Sequence, residues 1–204
     1  MIDDDTLAGV IQFHGHLCPG LALGIRAAEV ALDEIGPHAV DEEVVAIVET
    51  DMCGVDGIQF LTGCTFGKGN MIHRDYGKNA YTFVRRSDGR AIRLSGRPLA
   101  AGAPEPDQVQ LGAKLGAGTA TPDERQRFVD THERRSRRIL EAPIEELYDV
   151  QAVEVDMPRL ARIFTSVDCA SCHEPTMETR IRRLDGTDLC PPCFDEAIAG
   201  SAPT

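Results

Sequence analysis

Cys169-Ala-Ser-Cys172 and Cys190-Pro-Pro-Cys193, 17 residues apart, restrict this chain more than any other feature of its sequence. A CxxC pair makes a tight knuckle, and two knuckles at this spacing bring four thiolates onto one ion. Zinc takes four ligands tetrahedrally, with sulfur at about 2.3 Å. Arg180-Ile181-Arg182-Arg183-Leu184 before Asp185-Gly186 predicts a β-hairpin, and Phe194-Asp195-Glu196-Ala197 after Cys193 predicts a short helix. Knuckle, hairpin and helix describe a treble-clef finger over residues 166–204. A segment of roughly 40 residues has too little core to fold alone, so the metal supplies its stability. A dithiol redox pair or a disulfide is the alternative for these four cysteines.

The remaining cysteines are Cys18, Cys53 and Cys64, seven in all. An odd count argues for metal or thiol chemistry over a disulfide framework. The acidic start, Met1-Ile2-Asp3-Asp4-Asp5, is unlike a secretory signal, and no run approaches the ~20 apolar residues of a membrane span. The expected location is the cytoplasm, with no membrane partner. Asp and Glu number 33 against 21 Lys and Arg, a net charge of −12. Such a surface repels phosphates and disfavours nucleic acid. Arg180, Arg182 and Arg183 do offer a nucleic-acid contact, but fingers of this type serve equally as protein-docking modules. Lysine occurs only at Lys68, Lys78 and Lys114. An acidic, lysine-poor composition fits a salt-rich cytosol; a GC-rich genome favouring arginine codons gives the same bias. Lys68 and Lys78 share one polar stretch, and a retained lysine suggests a need for a compact, tunable amine.

Residues 1–165 read as an α+β or mixed-sheet core. Pro19 and Gly36 bracket a helix. Val44–Thr50 is an apolar β-branched run, as in a buried strand. A short helix follows over about 54–63, then the glycine-rich loop Thr65–Asn70. Residues 80–86 and 91–95 flank Asp88-Gly89 as a hairpin. The Gly-, Pro- and Ala-rich stretch 97–120 is expected to be a loop or mobile connector. Thr121-Pro122-Asp123-Glu124 is a capping box opening a charged helix. A helix over 144–148 and a strand over 150–155 complete the core.

Phe13-His14-Gly15-His16-Leu17-Cys18-Pro19-Gly20 carries the chemistry. In an extended segment His14, His16 and Cys18 share one face. Imidazole and thiolate together suit zinc and other late transition metals. Cys18 precedes a helix start, where the dipole lowers a thiol's pKa. Cys53 follows a buried strand, and Cys64 sits at the mouth of the glycine-rich loop. Each is a further ligand candidate, or a small buried hydrophobe.

FHGHLCPGLALG, ETDMCGVDGIQFLTGCTFGKGN and DYGKNAYTF resemble the FmdE family of formylmethanofuran dehydrogenase proteins, over roughly residues 5–100. The trailing CxxC pairs match its two-domain members. The resemblance implies a thioredoxin-like mixed sheet flanked by helices and an auxiliary treble-clef finger. It implies a core site able to hold zinc, at His16 and Cys18 first, then His14, Cys53 and Cys64. It also places the loop with Gly67, Lys68 and Asn70, and Lys78 beyond it, along the pocket. The family takes its name from operons for a molybdenum enzyme, so components of a molybdenum or tungsten enzyme are the implied partners.

Three functions stay open on the residues. One is a catalytic or metal-handling zinc site on His16, Cys18 and a third ligand, with His14 as ligand or base and Lys68 supplying positive charge. The second is a non-catalytic metallochaperone or assembly factor. The third is thiol redox chemistry, with Cys18 attacking and Cys53 or Cys64 resolving. A finger on a long connector also makes a homodimer reasonable.

Overall fold

In the computed structural model, which describes residues 2–98 and 106–200, Val44–Val48 (β1) is buried along its whole length, as its unbroken apolar run predicts. It runs parallel to Met71–His73 (β2) and antiparallel to Ala80–Arg85 (β3). A hairpin through Asp88-Gly89, with Gly89 at φ 74°, returns the chain as Ala91–Gly96 (β4). Tyr148–Ala152 (β5) closes the far edge against β4. The sheet is therefore mixed, five-stranded, in the order β2-β1-β3-β4-β5. The last strand begins two residues earlier than the sequence suggests, because Tyr148 pairs with Gly96.

Helices flank this sheet. Asp4–His14 (α1) starts at Asp3, whose carboxylate accepts from the Thr6 amide. Pro19–Glu34 (α2) starts at its proline as expected. Gly54–Thr62 (α3) follows β1. Leu21 and Ile25 of α2, Ile58 of α3, and Phe83 and Leu94 of the sheet share one buried core. Each such side chain contributes about 1.5–3 kcal/mol on burial.

Helices α2 and α3 pack backbone to backbone. A Cβ added at Gly24 would stand 2.0 Å from the Gly54 carbonyl oxygen, so only glycine fits there. This contact brings the starts of the two helices, with Cys18 and Cys53, side by side.

Pro106–Gly116 is a helix (α4) where a loop or connector is expected; the expectation for residues 99–105 lies outside the described residues. Packing overrides composition in this stretch. Leu111 is buried, the Gln108 side chain accepts from Arg135, and Lys114 pairs with Glu124. These contacts hold α4 to Pro122–Glu141 (α5), which opens on the expected capping box of Thr121 and Glu124. Ile144–Leu147 (α6) leads into β5.

The chain divides into two compact units, Met1–Leu160 and Ala161–Thr204. In the second, Ser166–Asp168 (β6) pairs with Pro175–Met177 (β7) around the first CxxC turn. A single 3-10 turn spans Glu178–Arg180. The expected hairpin is Arg182–Leu184 (β8) and Thr187–Leu189 (β9), turning at Asp185 and Gly186, both at positive φ. The final helix, Pro191–Gly200 (α7), carries Cys193. Its small core is Cys169, Leu189 and Cys190, with Leu184 and Phe194 against it. Arg182 and Arg183, two of the three arginines that could offer a nucleic-acid contact, are bonded to Asp195 and Asp188.

Candidate metal centre

His14 is the last residue of α1, and Gly15 caps that helix in the left-handed conformation, φ 98°. The amide of Gly15 donates to the Ile11 carbonyl at 2.7 Å. The chain then turns back through His16 to Cys18, the N-cap of α2. The three candidate donors converge, but not along one face of an extended segment: a helix end and a glycine turn bring them together. One donor atom from each of His14, His16 and Cys18 lies within 4.8 Å of the others. The His14 Nε2 to Cys18 Sγ distance is 3.8 Å, and the two imidazole rings lie 4.8 Å apart between centroids. A tetrahedral ion with nitrogen and sulfur ligands separates them by about 3.6 Å, so this donor set fits a zinc-sized ion. Asp56, in the first turn of α3, bonds the other ring nitrogen, Nδ1, at 2.7 Å.

Cys18 is 6% exposed and its sulfur accepts the Leu21 amide at 3.4 Å. A helix start by itself lowers a thiol's pKa. Here burial dominates instead and raises it, with the Leu21 amide opposing and Cys53 adding to the rise. Cys53 is half-buried at the N-cap of α3. A Cβ at Gly20 would lie 3.8 Å from the Cys53 sulfur and 4.0 Å from the Cys18 sulfur, so the two thiols flank one glycine.

Beside this cluster opens a cavity of about 630 Å³. Leu17, Pro19, Gly20 and Met52 line one side together with His16, Cys18 and Cys53. Helix α5 supplies Phe128, Val129, His132, Glu133 and Arg135. The His132 ring rests against Phe128, with centroids 4.2 Å apart. Burial lowers the pKa of His132, and Arg135 and His16 add to the effect.

The other expected site residues lie elsewhere. Cys64 is at the opposite end of α3, roughly 15 Å along the helix axis from Cys53 at 1.5 Å per residue. Its thiol is fully buried and donates to the Val44 carbonyl at 3.3 Å. Lys68 donates to the Ala39 carbonyl at 2.6 Å. Asn70 is fully buried, accepting from the Thr65 amide and donating to the Val44 carbonyl. Lys68 and Asn70 thus pin the loop after α3, and none of Gly67, Lys68 and Asn70 lines the cavity. Lys78 is exposed, its ammonium 5.9 Å from the Tyr76 ring centroid; its neighbours Gly77 and Asn79 line, with Tyr81, a 240 Å³ pocket that adjoins the cavity through Gly20 and Met52. Sequence reasoning misses Asp56 and His132. Phe128, Val129 and His132, spaced i, i+1, i+4 on an otherwise charged helix, are the available signal.

In the second unit the four cysteine sulfurs lie within 4.8 Å of one another, with Cys172 and Cys190 at 3.8 Å. A tetrahedral S4 site has edges of about 3.8 Å. The Cys190 amide donates to the Cys169 sulfur at 3.3 Å, which pushes the Cys169 pKa down to about 6.

Residues 13–149 match the family model described as FmdE, molybdenum formylmethanofuran dehydrogenase operon. The chain belongs to the FmdE family. The match spans the whole His–Cys cluster, Cys53, Asp56 and the α5 wall. Residues 162–198 match the prokaryotic DksA/TraR C4-type zinc finger. A curated relative from Archaeoglobus fulgidus, described as a probable S-adenosyl-L-methionine-binding protein, is 34% identical over 189 residues. That alignment covers 89% of this FmdE-family chain and 50% of the relative, so the chain spans half of that protein's length. The crystal structure of a tungsten formylmethanofuran dehydrogenase FmdE-like protein from Syntrophus aciditrophicus superposes with a TM-score of 0.61. At 21% identity, covering 98% of this chain and 94% of that one, it shares the fold. Among the described residues no helix is long and apolar enough to cross a membrane.

Proposed function

We propose that the core is a metal-dependent small-molecule site: His14, His16 and Cys18 hold one zinc-type ion at the edge of the α5-walled cavity, and the finger holds a second, structural zinc. The observation that carries this reading is three soft donors within 4.8 Å of one another, beside a 630 Å³ cavity with mostly apolar walls. Three protein donors are the usual complement of a catalytic zinc site that keeps a position for substrate, whereas four cysteines close a structural one. The bound ion would supply a Lewis acid. The chain's own residues do the rest. Asp56 holds the His14 ring, Leu17, Met52, Phe128 and Val129 offer apolar surface to a ligand, and His132 offers it a ring nitrogen from the opposite wall. Cavities of this size suit a drug-sized or nucleoside-sized molecule. The name of the Archaeoglobus relative makes S-adenosyl-L-methionine the first ligand to titrate.

The family's operon association supports a role beside a molybdenum or tungsten enzyme, as an accessory that keeps or delivers its core ion. The adjacency of Cys18 and Cys53 around Gly20 supports a second reading, thiol redox chemistry at this pair. Elemental analysis of the full chain tests all of these. Two ions per chain, falling to one in Cys18→Ser, is the expected result. Retention through dialysis favours a resident site, and transfer to a chelator or apo-enzyme favours delivery. One ion per chain, with a Cys18–Cys53 disulfide forming under mild oxidant, replaces the metal reading with the redox one.

A further inference from the structure

We infer that Asp56 is a positioning residue that fixes the tautomer and ring orientation of His14, so that Nε2 is the nitrogen presented to the Cys18 sulfur. This inference rests on the metal reading of the core. An acidic residue in the first turn of a helix ordinarily complements the helix dipole. Asp56 does more, because its carboxylate reaches the last residue of α1, 42 positions earlier in sequence, at 2.7 Å.

A carboxylate accepts hydrogen bonds and does not donate them, so the His14 Nδ1 must carry the proton. The lone pair then belongs to Nε2, the atom 3.8 Å from Cys18 Sγ. The contact is sheltered: the His14 side chain is 11% exposed and that of Asp56 37%. The left-handed Gly15 releases the chain directly after His14, so His16 and Cys18 can turn back toward the same point. Without Asp56 the His14 ring is free to exchange tautomers and to rotate, and the donor set loses its alignment. Partners of this kind orient metal-ligating histidines, and their loss typically weakens metal affinity 10- to 100-fold.

The same bond also ties α1 to α3, so a purely structural role must be told apart from a positioning one. The test uses the full chain loaded with zinc, with the finger's ion as an internal reference. Competition with a graded chelator reports affinity at each site. Nitrogen-15 NMR reports the His14 tautomer in the metal-free core. The variants are Asp56→Ala and the near-isosteric Asp56→Asn, whose amide oxygen still accepts from Nδ1. Asp56→Ala should weaken the core ion roughly 10- to 100-fold while the finger is unchanged, and its His14 should show mixed tautomers. Asp56→Asn should fall between Asp56→Ala and the wild type. A competition curve that overlays the wild type, with the Nδ1–H tautomer retained, overturns the inference even if the melting temperature falls, because Asp56 would then be only a tie between helices. A wild type that binds an ion only in the finger fails at the earlier step: it removes the metal reading itself, and this role with it.

Discussion

Gly24→Ala should separate the two helices that assemble the site. The new Cβ would stand 2.0 Å from the Gly54 carbonyl oxygen, 2.4 Å from its Cα and 2.5 Å from its carbonyl carbon. All three are backbone atoms of a packed helix, so no side chain can swing aside. Ordinary contact requires roughly 3.5 Å, so α2 and α3 must part by about 1.5 Å. Overpacking of this kind costs about 3 kcal/mol, at the upper end of the usual range. Alanine returns about 1 kcal/mol over glycine in helix propensity. The net loss is about 2 kcal/mol, equivalent to a fall of roughly 4–8 °C in melting temperature for a unit of this size. Calorimetry on the full chain measures it. The same displacement draws Asp56 of α3 away from the His14 ring, so core metal affinity should fall with stability. Gly9→Ala is the control: its Cβ would meet only the far end of the Phe60 ring, at 2.8 Å, and its melting temperature should change little. A Gly24→Ala protein that melts at or above the wild-type temperature would mean that helix propensity outweighs the contact, and would refute the account of how the site is held.

Asn70→Ala leaves the Thr65 amide without its acceptor and the Val44 carbonyl with the weak Cys64 thiol donor in place of the amide. It should cost about 3 kcal/mol in urea unfolding while leaving core metal content unchanged, since Asn70 holds a loop remote from the cavity. Lys114 and the Thr121 amide lower the Glu124 pKa from 4.5 to about 2. Its stabilising effect is therefore complete above pH 4.5 and lost as pH falls toward 2. The stability difference between wild type and Glu124→Gln should shrink over that window and stay constant above it; a constant difference throughout would exclude the capping-box and ion-pair contribution. Stripping the chain with a strong chelator should abolish amide protection in Ala161–Thr204 while Met1–Leu160 keeps its cooperative melt, because the finger's three-residue core cannot hold it without the ion.

Local chemistry is legible where the chain states it locally. The Thr121–Glu124 capping box, the proline opening α2, the Asp88-Gly89 hairpin and the two CxxC knuckles all form as their residues suggest. What the sequence hides depends on contacts distant along the chain. Strand β2 is three residues long and exists through its parallel pairing with β1. Helix α4 is specified by its docking on α5 against a composition that reads as connector. In the site, proximity in sequence misleads at Cys64 and Lys68. They follow Cys53 closely along the chain, but α3 carries them to its opposite end. Conversely, His132 stands across the cavity from His16, more than a hundred residues away in sequence, on a helix that reads as a solvated charged surface.

That separation has an evolutionary consequence. The three candidate donors and the carboxylate behind them come from residues 14–56, while the facing wall comes from 128–135. Mutational drift in one short stretch, around Phe128, Val129 and His132, can re-shape the cavity without disturbing any of those donors. On the proposed metal reading, relatives built on this plan are free to share one inorganic centre and diverge in the organic molecules they accept.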